Sequence, residues 1–430
     1  MPWSFQCAEE GCETGLGQDS RIHRCPRCGK LLEVRCDLSG LDGAVLRSAW
    51  LERRRSSLSL TLDCSGVWRF RELLSFFDDS GKIVSLGEGR TPLLEAPRAG
   101  RWAGDVRLSV KHQGANPTGS FKDLGMTAAI TRAVALGVSV VACASTGNTS
   151  SSMAAYAARA GLRALVFVPT GKIAAAKLAQ AIDLGAYVIE LGENFDQAFG
   201  LLREASVELG LYLVNSVNPF RIEGQKTLVA ELLEQRDWNV PDYIVVPGGN
   251  LGNVSSIAKG LRELRELGLV TRIPRLVVIQ SAGADAFYRL MSTRAQDLVP
   301  VARPETEATA IRIGSPANWR KARRALNETQ GLCESVTDAE IFEAKRALAA
   351  DGIGCEPASA ATLAGISKLR AAGRIEPRAD VVAVLTGHQL KDPDYVIRHA
   401  EALESGRRVE VEPEPAALRR TVERILKTSA

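Results

Sequence analysis

One lysine stands in a setting that favours nucleophilic chemistry. Pro117 and Gly119 predict an irregular turn, and Ser120 is a candidate cap for the helix that follows. Lys122 is therefore expected in the first turn of that helix. The positive end of the helix and apolar neighbours such as Phe121 favour the neutral amine, the form that attacks a carbonyl. Considered alone, the pattern would also fit a solvated lysine.

Three loops elsewhere in the chain could complete a site around this lysine. The stretch Gly248–Asn253 is rich in glycine and precedes a helical segment, so its backbone N–H groups can approach an anion closely. The stretch Ser145–Ser150 places hydroxyls and an amide at another helix start, which suits a carboxylate. Thr386 directly follows the last strongly apolar strand. Taken singly, the first two loops would also fit an ordinary glycine turn and a plain helix cap.

Four of the nine cysteines form two pairs near the N-terminus. Cys7 and Cys12 are separated by four residues, and Cys25 and Cys28 by two, which offers four thiolates for a tetrahedral Zn²⁺. Free thiols or disulfides are the alternative, but a reducing compartment disfavours disulfides. The spacing predicts a structural zinc ribbon over residues 1–35. Because this ribbon is separate in sequence from the candidate loops, we expect metal removal to leave those loops intact.

The composition narrows the class of protein. The chain has 430 residues, 45% of them hydrophobic and 24% charged, which is ordinary for a globular protein with a large core. A net charge of +4 is too small to indicate nucleic-acid binding. No apolar run is long enough to predict a membrane span, and the first residues do not resemble a secretion signal. We therefore expect a cytoplasmic protein with neither a nucleic-acid nor a membrane partner.

Short apolar segments alternate with helical stretches from residue 84 onward. The clearest segments are 139–142, 165–168, 187–189, 211–214, 243–246, 276–279 and 381–384. Near-continuous apolar strands separated by helices predict an α/β fold whose parallel sheets are flanked by helices. Active sites in such folds lie beyond the carboxyl ends of the strands, which is where the candidate loops fall.

The predicted organisation has four parts. They are a zinc ribbon over 1–35, a connector with N-terminal helices over 36–83, a catalytic core over 84–400 and a C-terminal tail over 401–430. Within the core, we expect a smaller subdomain at about 125–215 and a larger one formed by the rest.

The run Asn-Pro-Thr-Gly-Ser-Phe-Lys-Asp at 116–123 resembles the cofactor-lysine motif of the threonine synthases. These are pyridoxal-phosphate enzymes of the tryptophan-synthase-β-like fold, also called fold type II, and the similarity runs through most of residues 84–395. The resemblance implies a two-domain enzyme in which Lys122 binds pyridoxal 5'-phosphate covalently. It also implies conversion of O-phospho-L-homoserine and water to L-threonine and phosphate.

The resemblance further assigns roles to the loops. It implies that the glycine-rich loop holds the cofactor phosphate, that Asn148 reaches the phenolic oxygen and that Thr386 lies beside the pyridine nitrogen. A hydroxyl there would not force that nitrogen to be protonated, so the ring would withdraw electrons less strongly. The predicted cofactor-binding residues are Lys122, Asn148, Gly248, Gly249, Asn250, Leu251, Gly252 and Thr386. The predicted substrate-binding residues are Ser145, Thr146, Thr149, Ser216, Arg221 and Asn253.

Arg221 offers a planar fork that suits the substrate phosphate. The alternative is an arginine in a surface salt bridge. Lys172, at another helix start, is a weaker candidate for the same role. The segments Ala308–Gly314 and Cys355–Ala360 also resemble family segments, and we interpret them as walls of the cleft.

Two other functions stay open at this point. A threonine or serine dehydratase, or a cysteate-synthase-like β-replacement enzyme, would keep the cofactor and change the reaction. A zinc-ribbon binding module with an inactive core would have neither the cofactor nor the reaction. The lysine and both glycine-containing loops argue against this alternative. The sequence also leaves a homodimer open.

Overall fold

The computed structural model describes residues 3–9, 11–56, 62–77, 82–170, 175–191, 200–202, 204, 206, 208–399 and 409–427. They fall into two compact units, Met1–Lys391 and Asp392–Ala430. The second unit contains the helices Pro393–Arg398 and Pro415–Lys427. The predicted end of the catalytic core at residue 400 falls inside this second unit.

A two-stranded ribbon opens the first unit. Strand β1 (Trp3–Cys7) pairs antiparallel with β2 (Leu32–Cys36). Alternate side chains of β1 are buried, as the period of a strand requires, and these include Trp3 and Phe5. The ribbon therefore has one apolar face directed into the protein.

A six-stranded sheet forms the larger core. Its strands are β3 (Leu93–Glu95), β4 (Arg107–His112), β9 (Tyr243–Pro247), β10 (Arg275–Ser281), β11 (Leu332–Val336) and β12 (Asp380–Leu385). They lie in the order β11-β10-β9-β12-β4-β3, and every neighbouring pair is parallel except β3 with β4. All five residues of β9 are buried, which explains its unbroken apolar sequence.

A four-stranded parallel sheet forms a second core. Its strands are β5 (Val140–Ala144), β6 (Arg163–Val168), β7 (Tyr187–Glu190) and β8 (Tyr212–Leu213), in the order β7-β6-β5-β8. Buried side chains of β5 and of the helix Asn148–Arg159 share one apolar cluster.

Helices connect and flank these strands. In the first unit they span Gly43–Ser56, Pro97–Trp102, Lys122–Ala135, Asn148–Arg159, Ala175–Asp183, Pro219–Gln235, Gly252–Glu266, Ala286–Thr293, Trp319–Glu328, Asp338–Ala350 and Pro357–Ala371. The predicted α/β class with largely parallel sheets is confirmed. None of the helices within the described ranges is both long and apolar enough to cross a membrane.

Two helices that carry candidate site residues cross at unusually short range. We call Lys122–Ala135 the lysine helix and Pro219–Gln235 the arginine helix. A Cβ added to Gly125 would lie 2.9 Å from the carbonyl oxygen of Arg221, and one added to Gly224 would overlap the carbonyl of Leu124. Because both contacts involve backbone, the crossing requires glycine at these two positions, and it brings the beginnings of the two helices together.

Candidate active site

Lys122 is the first residue of the lysine helix and is half-buried. Its Nζ lies 4.3 Å from the centre of the Phe121 ring. Burial and then the positive charge of Arg221 lower the pKa of Lys122 to about 7, while Glu356 opposes the change. The neutral, nucleophilic amine is therefore accessible near neutral pH.

Ser120 does not cap the lysine helix as the sequence suggested. The N-cap residue is Phe121, and the helix has no side-chain cap. Ser120 instead forms an antiparallel bridge with Gly387, while Phe121 N donates to Thr386 O at 2.9 Å. The turn before the lysine is thus bonded to the loop that carries Thr386.

Asp123 anchors the same turn from inside the helix. Its carboxylate accepts hydrogen bonds from Thr118 N at 2.7 Å, Thr118 Oγ1 at 2.6 Å and Ser152 Oγ at 2.6 Å. Burial raises the pKa of Asp123 to about 6, against the effect of these hydrogen bonds. Asp123 therefore joins the turn to the helix Asn148–Arg159.

Glu356 links two of the predicted cofactor-binding residues. Its Oε2 accepts a hydrogen bond from Asn148 Nδ2 at 2.9 Å, and its Oε1 accepts one from Thr386 Oγ1 at 3.0 Å. Glu356 is the buried residue immediately before the helix Pro357–Ala371. Asn148 and Thr386 therefore converge on one carboxyl group.

The glycine-rich loop follows β9. The N–H of Gly248 donates to Ile279 O at 2.7 Å, so it cannot also bind an anion. In the part of the chain that the structure describes, no hydrogen bond uses the N–H groups of residues 249–251. Leu251 has a left-handed φ of 62° and precedes the helix Gly252–Glu266. Gly248 is therefore excluded as an anion-binding N–H donor, and the N–H groups after it in this loop stay candidates.

Arg221 is buried, with 2% of its surface exposed, which rules out the surface salt bridge considered above. Its Nη1 donates to Val214 O at 3.1 Å, and its Nε has no hydrogen-bond partner among the described residues. Nor does any carboxylate in the described ranges form an ion pair with it. Burial lowers the pKa of Arg221 to about 10. A buried cation with no carboxylate partner among the described residues suits an anionic ligand.

Asn253, at the start of the helix Gly252–Glu266, is a second buried polar residue near the site. The residue is buried, and neither Oδ1 nor Nδ2 has a hydrogen-bond partner in the described part of the chain. Buried amides normally have partners in the protein or in a ligand.

The predicted carboxylate-binding hydroxyls surround the start of the helix Asn148–Arg159. Ser145, Thr146 and Thr149 are all half-buried there. The N-cap of the helix is Gly147, and the helix has no N-terminal side-chain cap. The plain capping cluster considered as an alternative is therefore not what the structure contains.

Ser216 is connected to the glycine-rich loop through an asparagine that the sequence did not indicate. Asn318 Nδ2 donates to Ser216 O at 3.1 Å and to Asn250 O at 3.2 Å. On the other side, Asn215 Nδ2 donates to Ala144 O at 2.9 Å, next to the 145–150 loop. The predicted substrate loops therefore belong to one connected set.

The residues present fit an anionic aldehyde cofactor. Lys122 offers a half-buried amine of lowered pKa, and residues 249–251 offer N–H groups at a helix start. Side-chain atoms of Arg221, Asn253 and Ser120 are buried without partners among the described residues. A phosphate and an aldehyde are the two groups that such a set would bind.

The four N-terminal cysteines also converge. The sulfurs of Cys7 and Cys28 lie 3.3 Å apart, those of Cys12 and Cys25 lie 3.7 Å apart, and all four lie within 4.8 Å of one another. Four sulfurs at such separations can surround one tetrahedral ion.

Three residues near these loops were not predicted individually: Glu356, Asn318 and Lys391. Lys391 Nζ donates to Ser151 Oγ at 2.9 Å and to Gln180 Oε1 at 2.6 Å, so it joins the Thr386 loop to two helices beside the smaller sheet. Glu356 lies in the segment Cys355–Ala360, which the sequence predicted only to be a wall of the cleft. An acidic residue directly before a proline at a helix start was the one sequence feature that could have indicated a separate role for it. Lys172 lies outside the described residues.

Comparisons with known proteins cover most of the chain. The profile of the pyridoxal-phosphate dependent enzyme family matches residues 84–387. The threonine synthase of Methanocaldococcus jannaschii is 46% identical over 386 residues, which is 88% of this chain and 95% of that protein. The threonine synthase of Methanosarcina acetivorans is 43% identical over 396 residues, or 92% of this chain and 94% of that protein.

A solved structure shows the same fold. The processed form of threonine deaminase isoform 2 from Solanum lycopersicum superposes with a TM-score of 0.63, covering 86% of this chain and 90% of that one. Its sequence identity is 18%, so this likeness concerns the fold alone.

Proposed function

The chain belongs to the pyridoxal-phosphate dependent enzyme family, and we infer from its relatives and its site that it is a threonine synthase. The reaction converts O-phospho-L-homoserine and water to L-threonine and phosphate. The fold type and the cofactor follow from family membership, and the roles of individual residues below are our proposals.

The observation that carries this function is the buried, unpaired cation at Arg221. A substrate with a phosphate on its side chain needs a positive group inside the cleft, in addition to the groups that bind the cofactor phosphate. Arg221 stands close enough to lower the pKa of Lys122, and among the described residues it has no carboxylate partner. We assign it, with Asn253, Ser216 and Thr149, to the substrate phosphate.

The remaining loops would bind the cofactor and the substrate carboxylate. Residues 249–252 would hold the cofactor phosphate at a helix start. Asn148 and Thr386 would face the phenolic oxygen and the ring nitrogen. Ser145 and Thr146 would bind the substrate carboxylate, so that two anion sites fix the substrate at both ends.

When bound, the cofactor withdraws electrons from the substrate's α-carbon, which makes neighbouring protons removable. Lys122 is the group placed to take and return protons at Cα and Cβ, because its lowered pKa makes both of its forms available near neutral pH. Phosphate leaves from Cγ towards Arg221, and water adds at Cβ.

We propose that the four cysteines bind a structural Zn²⁺. The separations of their sulfurs support four-coordinate binding. Metal analysis of the purified protein tests this directly. Zinc should be present in stoichiometric amount and should be lost in a Cys25→Ser, Cys28→Ser double variant.

Product analysis tests the proposed reaction. We expect protein incubated with pyridoxal phosphate and O-phospho-L-homoserine to release L-threonine and phosphate in equal amounts. Arg221→Gln should raise KM for O-phospho-L-homoserine strongly. Deamination of L-threonine with no turnover of the phosphorylated substrate would instead establish the dehydratase alternative. Absence of a visible absorption band after cofactor is added would favour the inactive binding module.

Arg69 provides a matched control for Arg221. It is equally buried, but it is paired with Glu234 at 2.7 Å. Arg69→Gln should lower the free energy of unfolding because it removes the nearer of the two arginines that pair with the buried Glu234 carboxylate. It should leave KM for O-phospho-L-homoserine near the native value. Equal effects of both variants on KM would count against a specific role for Arg221.

Further expectations from the sequence stay predictions. The small-molecule substrate is part of the proposed reaction, and a cytoplasmic location and a homodimer are the others.

A further inference from the structure

The amine of Lys391 is surrounded by three hydrogen-bond acceptors. Its Nζ lies 3.1 Å from Thr118 O, 2.9 Å from Ser151 Oγ and 2.6 Å from Gln180 Oε1. Burial lowers the pKa of this amine, while two nearby carboxyl groups raise it. A neutral amine has two hydrogens and an ammonium group has three, so in either state these acceptors can take every hydrogen. Unlike Arg221, Lys391 therefore has no free hydrogen for a ligand phosphate.

The three acceptors belong to separate elements. In the order given above, they lie in the turn at 116–121, which we call the lysine turn, in the helix Asn148–Arg159 and in the helix Ala175–Asp183. Both helices contribute buried side chains to the apolar cluster of the smaller sheet. One side chain therefore connects the lysine turn to the elements that flank this sheet.

The aliphatic stem of Lys391 also contacts the lysine turn. Gly119 has a left-handed φ of 83°, and a Cβ added to it would lie 3.2 Å from Lys391 Cδ. The methylene groups therefore lie directly over the backbone of the turn. The amine is thus placed by its stem as well as by its acceptors.

Asp123 makes a second connection between the same elements. Its carboxylate accepts hydrogen bonds from Thr118 N and Thr118 Oγ1, at 2.7 Å and 2.6 Å, and from Ser152 Oγ at 2.6 Å. The consecutive residues Ser151 and Ser152 are thus bonded to Lys391 and to Asp123, and Thr118 is bonded to both. The helix is therefore held against the lysine turn at two neighbouring positions.

Ser151 extends this connection to the loop proposed to bind the substrate carboxylate. It is 2% exposed, and its hydroxyl is directed at the carbonyl oxygens of Gly147 and Asn148, each 3.4 Å away. Gly147 is the N-cap of the helix and directly follows Thr146, and the helix has no N-terminal side-chain cap. The position of the loop therefore depends on contacts such as the one between Ser151 and Lys391.

We propose that Lys391 is a positioning residue that holds the helix Asn148–Arg159, and with it the loop at 145–150, against the lysine turn. This inference rests on the proposed function, in which Ser145 and Thr146 bind the substrate carboxylate. The carboxylate site and the reactive amine are then kept at the separation that one bound amino acid requires.

Loss of the Lys391 amine should weaken binding at the carboxylate end of the substrate. It should not weaken binding at the phosphate end, because Arg221 lies on the arginine helix and donates to Val214 O. L-Threonine and inorganic phosphate probe the two ends separately, since the first has the carboxylate without a phosphate and the second has no carboxylate.

The test uses the complete protein loaded with pyridoxal 5'-phosphate. Lys391→Met keeps an aliphatic stem over Gly119 and removes the donors. We expect the visible cofactor band to remain and the dissociation constant of L-threonine, measured from the change in that band, to rise about tenfold. The inhibition constant of inorganic phosphate should keep its native value. Equal weakening of both ligands, or native affinity for L-threonine, would overturn the inference.

Ser151→Ala tests whether Lys391 acts through the helix. This variant removes the acceptor of Lys391 on the helix, so it should also weaken binding of L-threonine. Adding Lys391→Met to Ser151→Ala should then weaken binding by a smaller factor than Lys391→Met does alone. Effects that simply multiply would show that the two residues act independently and would refute the proposed connection. If Lys391→Met does not fold, Ser151→Ala still decides, because native affinity in that variant contradicts the inference.

Lys368 provides a matched control. Its Nζ donates to Ser335 O at 2.7 Å, in the edge strand β11 of the larger sheet. Lys368→Met should leave the constants for L-threonine and inorganic phosphate at their native values. Equal weakening of L-threonine by both lysine variants would mean that the effect is not specific to Lys391.

Failure of this inference can be distinguished from failure of the proposed function. If the native protein does not convert O-phospho-L-homoserine, the proposed function fails, while titration with L-threonine still decides the role of Lys391. If the native protein forms L-threonine and Lys391→Met binds it with native affinity, only the inference fails.

Discussion

The indole ring of Trp3 lies 5.6 Å from the ring of Phe220 in an edge-to-face contact, and Phe5 makes a similar contact with Phe220 at 5.8 Å. Phe220 stands in the first turn of the arginine helix, immediately before Arg221. The ribbon that carries the four cysteines therefore packs against the turn that carries the proposed phosphate ligand. The ribbon and the arginine helix are far apart in sequence, so this contact could not be predicted from the sequence.

Loosening the ribbon should weaken binding of the phosphorylated substrate. An edge-to-face aromatic pair contributes about 0.5–1.5 kcal/mol beyond its buried area, which corresponds to roughly a two- to tenfold change in a binding constant. Phe5→Ala, or removal of zinc by a chelator, should raise KM for O-phospho-L-homoserine by this order while the visible cofactor band stays. Steady-state kinetics and absorption spectra check both parts.

Ile22→Ala is the matched control for this prediction. Ile22 belongs to the same ribbon but is 42% exposed, so its truncation should leave KM unchanged. An unaltered KM in Phe5→Ala, or loss of the cofactor band along with the ribbon, would contradict the proposed coupling.

Attachment of the cofactor should depend on pH near neutrality. Burial and the charge of Arg221 lower the pKa of Lys122 to about 7, so the reactive neutral amine predominates above that pH and is lost below it. The rate at which cofactor-free protein gains its visible band should therefore rise with pH through about 7 and then level off. A rise continuing towards 10.5, the ordinary lysine pKa, would show that the amine is not perturbed.

Arg221→Gln should shift the pH dependence of cofactor attachment to higher pH. Removing a nearby positive charge stabilises the charged amine, so the midpoint of the pH profile should move upward. The reaction of pyridoxal phosphate with a simple amine under the same conditions corrects for titration of the cofactor itself.

Gly224→Ala should destabilise the protein through the helix crossing. The added Cβ would overlap the Leu124 carbonyl and would lie 3.0 Å from Ala128 Cβ. Overpacking of this kind costs about 1–3 kcal/mol, more than the helix propensity gained by alanine. Urea unfolding measures the change. Gly40→Ala, where no atom lies within 4 Å of the new Cβ, should be close to neutral, and equal effects of the two variants would refute the argument.

The buried pair of Lys111 and Glu231 offers a separate test of the core. Lys111 Nζ lies 2.5 Å from Glu231 Oε1, and Lys111 is fully buried. Lys111→Met should cost about 3–5 kcal/mol because it removes the nearest cation from a buried carboxylate and leaves only the more distant Arg69, at 3.9 Å. The double variant Lys111→Met, Glu231→Gln should recover part of this loss, since the amide still accepts from the N–H of Thr91. A double variant as unstable as the single one would contradict this account.

Much of the architecture could be predicted because it depends on local pattern. Apolar runs such as β9 are continuous because both faces of the sheet are covered, and the candidate loops follow strands because parallel strands end at one edge. The threonine-synthase resemblance proposed cofactor-binding roles for Lys122, Asn148 and Thr386 without any coordinates, and these roles stay predictions.

Other features depend on partners far away in the chain. Ser120 looked like a helix cap, but its backbone pairs with Gly387 and the cap is not made. Glu356 could not be selected from sequence because its partner Asn148 lies 208 positions away. Arg221 could be identified as a candidate, but its burial and its lack of a carboxylate partner among the described residues became evident only from the structure.

The bridge between Ser120 and Gly387 sets a limit on how the protein can mature in the cell. The turn that presents the lysine leaves the ribosome long before its partner loop has been translated. Until that loop emerges, Phe121 N lacks the Thr386 carbonyl that holds the turn in place. Cofactor loading is therefore expected after translation of the core, and a chain truncated ahead of residue 386 should not retain the vitamin-derived aldehyde.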